Sequence, residues 1–172
     1  MNVSGLTSGV TAIAVGRDHT CAVASGGAAK CWGNNLLGAV GNGGTPFEVL
    51  TPANVTGLSS GVTSMTGGHN FTCARTSSGA AKCWGVSNWG QLGDGLETNS
   101  DTPVNVAGLS SGVAALSAGA NHVCARMNSG AVMCWGYNAY GRLGDGTTTD
   151  RSTLVFALIS DIRKVFLPAI RR

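Results

Sequence analysis

Short apolar runs closed off by glycine recur along the chain at a fixed spacing. Val10–Val15 is bracketed by Gly9 and Gly16, and similar brackets return around Val62–Gly67 and Val113–Ala118. Runs this short, bounded this way, predict strands rather than helices. Each is followed by two further runs that carry one cysteine apiece: Cys21 and Cys31, Cys73 and Cys83, Cys124 and Cys134. Trp-Gly closes the second run every time, at Trp32, Trp84 and Trp135. A last run holds Thr51-Pro52 or Thr102-Pro103, and these dipeptides are expected to begin a fourth strand. Proline lacks an N–H to give a neighbour, so that strand is expected on an outer edge.

The first cysteines set the period, 52 residues and then 51. Four short strands repeating at this length predict the blades of a β-propeller, an all-β fold. Residues 1–153 divide into units of about 51 residues, with blades around 10–53, 62–104 and 113–155. Residues 1–6 match the closing strand of a preceding blade, as in Asn54-Val55-Thr56-Gly57-Leu58. Residues 154–172 depart from the repeat. There Ile162, Val165, Phe166 and Ala169 have helical spacing, although Pro168 would kink or end a helix. A cap, a misread sequence end and a diverged strand all remain open for this tail.

Register follows if the paired cysteines face each other. The hairpin turns are then Ser25-Gly26-Gly27, Ser77-Ser78-Gly79 and Asn128-Ser129-Gly130. A three-residue loop ending in glycine suits a type I turn whose last residue is left-handed. The same register sets Thr20, Thr72 and Val123 opposite the three tryptophans, with Ala22, Ala74 and Ala125 diagonal to them. A large indole over small neighbours predicts a core between blades. Opposed cysteines favour one disulfide per blade over buried reduced thiols, and hence an oxidising compartment.

Composition supports many strands and tight turns: 27 glycines in 172 residues, with 43% hydrophobic and 11% charged side chains. No run is apolar for long enough to predict a membrane-spanning helix. The net charge of +3 sits wholly in the tail, where Arg163, Lys164, Arg171 and Arg172 outnumber Asp161. The repeats are neutral and offer no basic face, so nucleic acid is not an expected partner.

Catalytic patterns are missing. His19 and His122 share one repeat position and His69 lies two residues earlier in its unit, but no acid or serine recurs at a fixed offset from them. The nine-residue cysteine spacing differs from that of structural zinc sites. Asp94-Gly95 and Asp145-Gly146 read as turns, without the acidic pattern of a calcium loop. Neither an enzyme nor a cofactor is expected.

These units resemble the regulator of chromosome condensation repeat. The likeness is carried by His19-Thr20-Cys21-Ala22, by Cys31-Trp32-Gly33-Asn34-Asn35 and most fully by Trp135 to Gly146, with Thr102–Val106 and Gly108-Leu109 completing the unit. Phe71 stands where the other copies have histidine, and Ala39-Val40-Gly41-Asn42 replaces the usual Gln-Leu-Gly-Asp. The resemblance implies a ring of about seven blades, of which three are present. A fragment of a larger protein is therefore expected, completed by the parent's missing blades, with a second chain as the lesser alternative.

Positions that vary among the copies are those free to meet a partner. They include Arg17, His69, Asn34, Tyr137, Gln91 and Arg142, mostly in loops after Trp-Gly. Tyr137 is the expected exposed anchor. Leu37, Trp89 and Tyr140 share one position, are always large, and are assigned to blade packing. A non-enzymatic module binding protein or glycan is the leading expectation, extracytoplasmic or secreted as part of a larger protein. Guanine-nucleotide exchange on a small GTPase, a cell-surface spacer and a cytoplasmic location are the alternatives.

Overall fold

The glycine-bracketed runs and the cysteine hairpins fold as strands. In a computed structural model, which describes residues 3–158, the first unit holds β1 (Val10–Val15), β2 (His19–Ala24), β3 (Ala29–Asn34) and β4 (Glu48–Asn54). The second holds β5 (Val62–Gly67), β6 (Phe71–Thr76), β7 (Ala81–Gly85) and β8 (Ser100–Asn105). The third holds β9 (Val113–Ala118), β10 (His122–Met127), β11 (Val132–Gly136) and β12 (Arg151–Phe156). Each set is one antiparallel sheet with its strands in chain order. β1 lies against β5 and β5 against β9, so the sheets fan out from their first strands as propeller blades.

The hairpin register has the cysteines opposed and Thr20, Thr72 and Val123 across from the tryptophans. The turns end on Gly27, Gly79 and Gly130 at φ of 80°, 79° and 88°, a conformation that costs glycine nothing. Gly27 and Gly79 also touch the next blade. Val62 and Val113 donate their N–H groups to the carbonyls of Gly27 and Gly79, both at 2.9 Å. A Cβ at Gly27 would lie 2.5 Å from the nitrogen of Gly61. The first copy departs from a type I turn, because Gly26 also takes positive φ.

The outer strands correct one expectation. Pro52 and Pro103 lie inside β4 and β8, not at their starts. Cys31 pairs with Ala53 while Gly33 pairs with Val49, so several residues of β4 stand opposite Trp32 alone. Proline sits in this bulge, on an edge strand, where no ladder N–H is needed. β12 makes the same bulge without proline, pairing Cys134 with Val155 and Gly136 with Arg151. The third blade thus runs to Phe156, beyond the expected boundary at 153–154. The helically spaced tail residues lie outside the described residues, as do Met1 and Asn2.

The core is divided between the blade junctions. One buried cluster joins Cys21, Cys31 and Val40 of the first blade to Met65, Ala74 and Trp84 of the second. The other joins Phe71, Cys73, Cys83 and Leu92 to Val123, Ala125 and Trp135. Alternation along β2 and β3 explains this. Cysteines face the next blade, while alanine and tryptophan face the previous one. Cys21–Cys31, Cys73–Cys83 and Cys124–Cys134 lie at disulfide distance, with Cα separations of 4.0, 4.1 and 4.1 Å. The first two pairs are thereby packed into a junction as well as closing a hairpin.

Candidate functional site

The loops between the third and fourth strands carry most of the variation between copies, and each is folded around a buried polar residue. In the first, Asn35 accepts the N–H of Val40 at 3.1 Å and donates to Asn42 Oδ1 at 2.9 Å. In the third, Asn138 accepts from the N–H of Leu143 and donates to Asp145 Oδ1 and to the carbonyl of Thr149. Ser87 holds this place in the second. These loop organisers escaped the sequence reading. Their signal was the return of Asn at 35 and 138 with Asn42 or Asp145 seven residues on.

Asp145 extends the third loop's network. It accepts from the hydroxyl and N–H of Thr147 and from Arg151 at 3.1 and 3.0 Å. The Thr147 hydroxyl above all, then its N–H, Arg151 and Asn138, hold the carboxyl down to about 2 against partial desolvation. This carboxylate is spent on loop structure.

Aromatic and cationic side chains gather beside these loops. The rings of Trp89 and Tyr137 are 5.1 Å apart at an angle of 44°. The Arg142 guanidinium lies 4.7 Å from the Tyr137 ring centre and 5.9 Å from that of Tyr140, and its Nε donates to the carbonyl of Ala139. Arg142 has no acidic partner among the described residues. Tyr140 is 93% exposed and takes φ of 67°, an unusual conformation for a residue with a side chain. Next to the cluster, Leu37, His69, Asn70, Asn88, Trp89 and Asn121 line a cavity of about 180 Å³. One surface therefore draws on loops from all three blades.

The candidate binding residues separate into three groups. Arg142 and His69 lie on this surface, His69 exposed and Arg142 half-buried. Asn34 and Arg17 are exposed but committed: Asn34 Oδ1 accepts the N–H of Leu36, and Arg17 pairs with Asp18 at 3.4 Å. Gln91 is a correction. It is fully buried, with Oε1 taking the N–H of Trp89 and its carbonyl taking the indole of Trp135. Tyr137 is half-buried between Trp89 and Arg142, so it is a stacked base and not the exposed anchor. Tyr140 is the exposed ring, and Leu37 is 40% exposed, so neither packs within the blade as expected.

The assigned blade-core residues also divide. Trp84 and Trp135 are fully buried and donate their indole N–H groups to the carbonyls of Ala39 and Gln91, both at 2.9 Å. Ala22, Ala74 and Ala125 are buried beside the tryptophan positions. Trp32 is only half-buried, because no blade covers its side of the first sheet among the described residues. His19 is buried, which drives its pKa down to about 4 although Asp18 pulls it up. His122 is lowered too, by burial first and then by Arg142. The His19 imidazole serves the junction between the first two sheets, where its Nε2 lies 2.8 Å from Thr72 Oγ1. Among the described residues no three His, Cys, Asp or Glu side chains gather as a metal site.

The arrangement is a cation–π platform on a propeller scaffold, and known proteins share that scaffold. Profiles of the regulator of chromosome condensation (RCC1) repeat match residues 10–39, 79–126 and 113–142. The human E3 ubiquitin-protein ligase HERC2 is 35% identical over 133 residues, which is 76% of this chain and 3% of that protein. The ultraviolet-B receptor UVR8 of Arabidopsis thaliana is 32% identical over 155 residues, 89% of this chain and 35% of that protein. The chain thus spans at most about a third of these relatives. Human WBSCR16 superposes with a TM-score of 0.79 at 22% identity, over 91% of this chain and 42% of that one. Yeast RCC1 (Prp20), in its complex with Kap60, gives 0.78 at 18% identity, over 90% and 38%. Repeat motifs and blade topology agree, and this chain belongs to the regulator of chromosome condensation repeat family.

Proposed function

We propose that this chain is a non-enzymatic propeller segment that binds a protein through the surface carrying Trp89, Tyr137, Tyr140 and Arg142. The observation that carries the reading is the cation–π cluster itself. Aromatic and arginine side chains are enriched at protein interfaces and among the residues that dominate their energetics. Here an arginine without a carboxylate partner among the described residues lies against one half-buried ring and one exposed ring. Positions invariant among the copies, including the cysteines and Trp-Gly, belong to the scaffold. Solved relatives support the class of activity: yeast RCC1 was crystallised bound to Kap60, and another study of Prp20p concerns its binding to Gsp1p and histones.

The test is proximity capture in cells expressing the intact parent protein. Tyr137→Ser, Tyr140→Ser and Arg142→Ser together should abolish capture of a specific partner, while Leu50→Ser, exposed on an outer strand, should not. Capture indifferent to the loop substitutions refutes this surface. Acceleration of nucleotide release from a small GTPase would replace the reading with an exchange activity.

We further propose an oxidising compartment, on the strength of the cysteine pairing. Protein recovered without reductant should be lighter than its reduced form by six hydrogens, two per disulfide. An unchanged mass removes the argument.

A further inference from the structure

The two junctions between blades differ in kind. The first buries His19 against Thr72, whose hydroxyl donates to the carbonyl of Ala39 at 2.9 Å, so the imidazole supplies the N–H between them. The second buries Phe71 and Val123 in the same places. The loops beside the junctions differ as well. Leu37 and Val86 occupy the repeat positions that Trp89 and Tyr137 take one unit later. The later pair packs ring against ring, 5.1 Å apart. The earlier pair borders a cavity of about 180 Å³ instead. Its walls come mostly from the middle blade, which has a sheet on each side, with Leu37 added by the first blade and Asn121 by the third.

Asn70, Asn88, Asn121 and the Trp89 indole also border this cavity. Among the described residues none of these four side chains makes a hydrogen bond; Trp89 donates only through its backbone, to Gln91. The backbone holds the walls in place. The carbonyls of Asn70 and Asn121 accept the N–H groups of Val86 and Tyr137, and His69 donates its N–H to the carbonyl of Ala120, all at 2.9 Å. The site is therefore formed before anything enters it, with its polar side chains left for a ligand. No Asp, Glu, Lys or Arg borders the cavity. Even the position that holds Asp18 in the first unit is an amide here, at Asn70 and Asn121. One unit later His69 and Asn88 give way to Ala120 and Ala139. Space and polar groups are thus lost together, as expected if both serve one ligand.

We propose that this cavity binds one neutral hexopyranose ring. Trp89 takes a C–H face of the sugar, since ring faces are negative and those hydrogens are slightly positive. Asn70, Asn88 and Asn121 bond its hydroxyls. A hydroxyl both donates and accepts, as an amide side chain does, so unpaired amides suit neighbouring hydroxyls. A charged ligand would find no counter-charge here. The volume lies below the roughly 300 Å³ at which drug-sized ligands are held, so it takes one ring and not a chain of them. Only one aromatic ring lines the cavity, with aliphatic Leu37 and Val86 as the other apolar walls, so a flat nucleobase would lack a second face. The site adjoins Tyr137 but does not rest on a protein partner, and the chain alone should bind its sugar.

Nuclear magnetic resonance of the full chain with disulfides intact, titrated with methyl glycosides of glucose, galactose and mannose, tests this. At least one sugar should shift the side-chain amide signals of Asn70, Asn88 and Asn121 and the Trp89 indole N–H saturably. Its dissociation constant should be on the order of 1 mM, as for a single small ring. The other epimers should bind at least about threefold more weakly, because the amides read hydroxyl positions. Leu37→Trp places the second unit's residue in the cavity and should abolish the shifts. Asn88→Ala, at an exposed position, should weaken binding roughly fivefold or more, with circular dichroism unchanged. Signals unmoved by all three sugars overturn the proposal, as does binding that both substitutions leave intact. So does tighter binding of adenosine, or of acetylasparagine amide as a stand-in for a protein side chain, than of any glycoside.

Discussion

Exchanging the first junction's polar pair for the second's, His19→Phe with Thr72→Val, should make stability less dependent on pH. His19 is 5% exposed, and burial depresses its pKa from 6.5 to about 4. The folded state therefore prefers the neutral ring. Below its ordinary value the unfolded chain binds a proton that the folded chain does not, and stability falls as pH drops from about 6.5 toward about 4. Linkage over that interval predicts a loss of about 2 kcal/mol by about pH 5 and about 3 kcal/mol by about pH 4, relative to neutrality. His122 adds a loss of the same sign, so the comparison between proteins isolates His19. Urea unfolding with disulfides intact, repeated across this range, should give a wild-type curve steeper than the variant's by that amount. Thr72→Val alone should cost about 1–3 kcal/mol at neutral pH, since it leaves His19 Nε2 without an acceptor. Parallel curves for wild type and the double variant would refute the reasoning, as would a titration placing His19 near its ordinary value.

Two further outcomes follow from the loops. Gly41→Ala should destabilise by about 2 kcal/mol or more, because its Cβ would meet the Trp84 ring and its φ is 76°. Gly57→Ala, at φ of 70° with nothing within 4 Å, should cost only about 1 kcal/mol, so thermal melts of the pair separate packing from backbone strain. Asp145→Asn should speed hydrogen exchange at Thr147 and Thr149 at neutral pH while the strands keep their protection. Equal exchange in both proteins would show that the Arg151 and Asn138 bonds do not hold the loop.

Pairing chemistry, within blades and between them, is specific to each copy. Lys30 reaches Asn54 and Lys82 reaches Asn105, both at 2.7 Å, but in the third blade Met133 faces Phe156. Here too a polar pair is replaced entire. The outer-strand pairs are exposed, so only at the junction does burial punish a polar group that loses its partner and favour whole exchanges. They make each copy's departures informative about its neighbour: Phe71, which breaks the histidine pattern, is matched by Val123, which breaks the threonine pattern.

The sequence by itself determined the blade. Period-two alternation, glycine at the hairpin tips and opposed cysteines involve residues close along the chain, so strand register and the cysteine and tryptophan faces could be derived by counting. Only the tertiary structure decided what the variable positions do. Gln91 and Arg142 share one repeat position, yet Gln91 is sealed by Trp135 of the next blade while Arg142 lies beside Tyr137 and Tyr140. Their difference comes from a neighbour 44 residues away and from loops folded back on Asn35, Ser87 and Asn138. Side-chain periodicity records which face of a strand a residue takes. It holds no information about whether another blade covers that face, and coverage is what separates core from interface here.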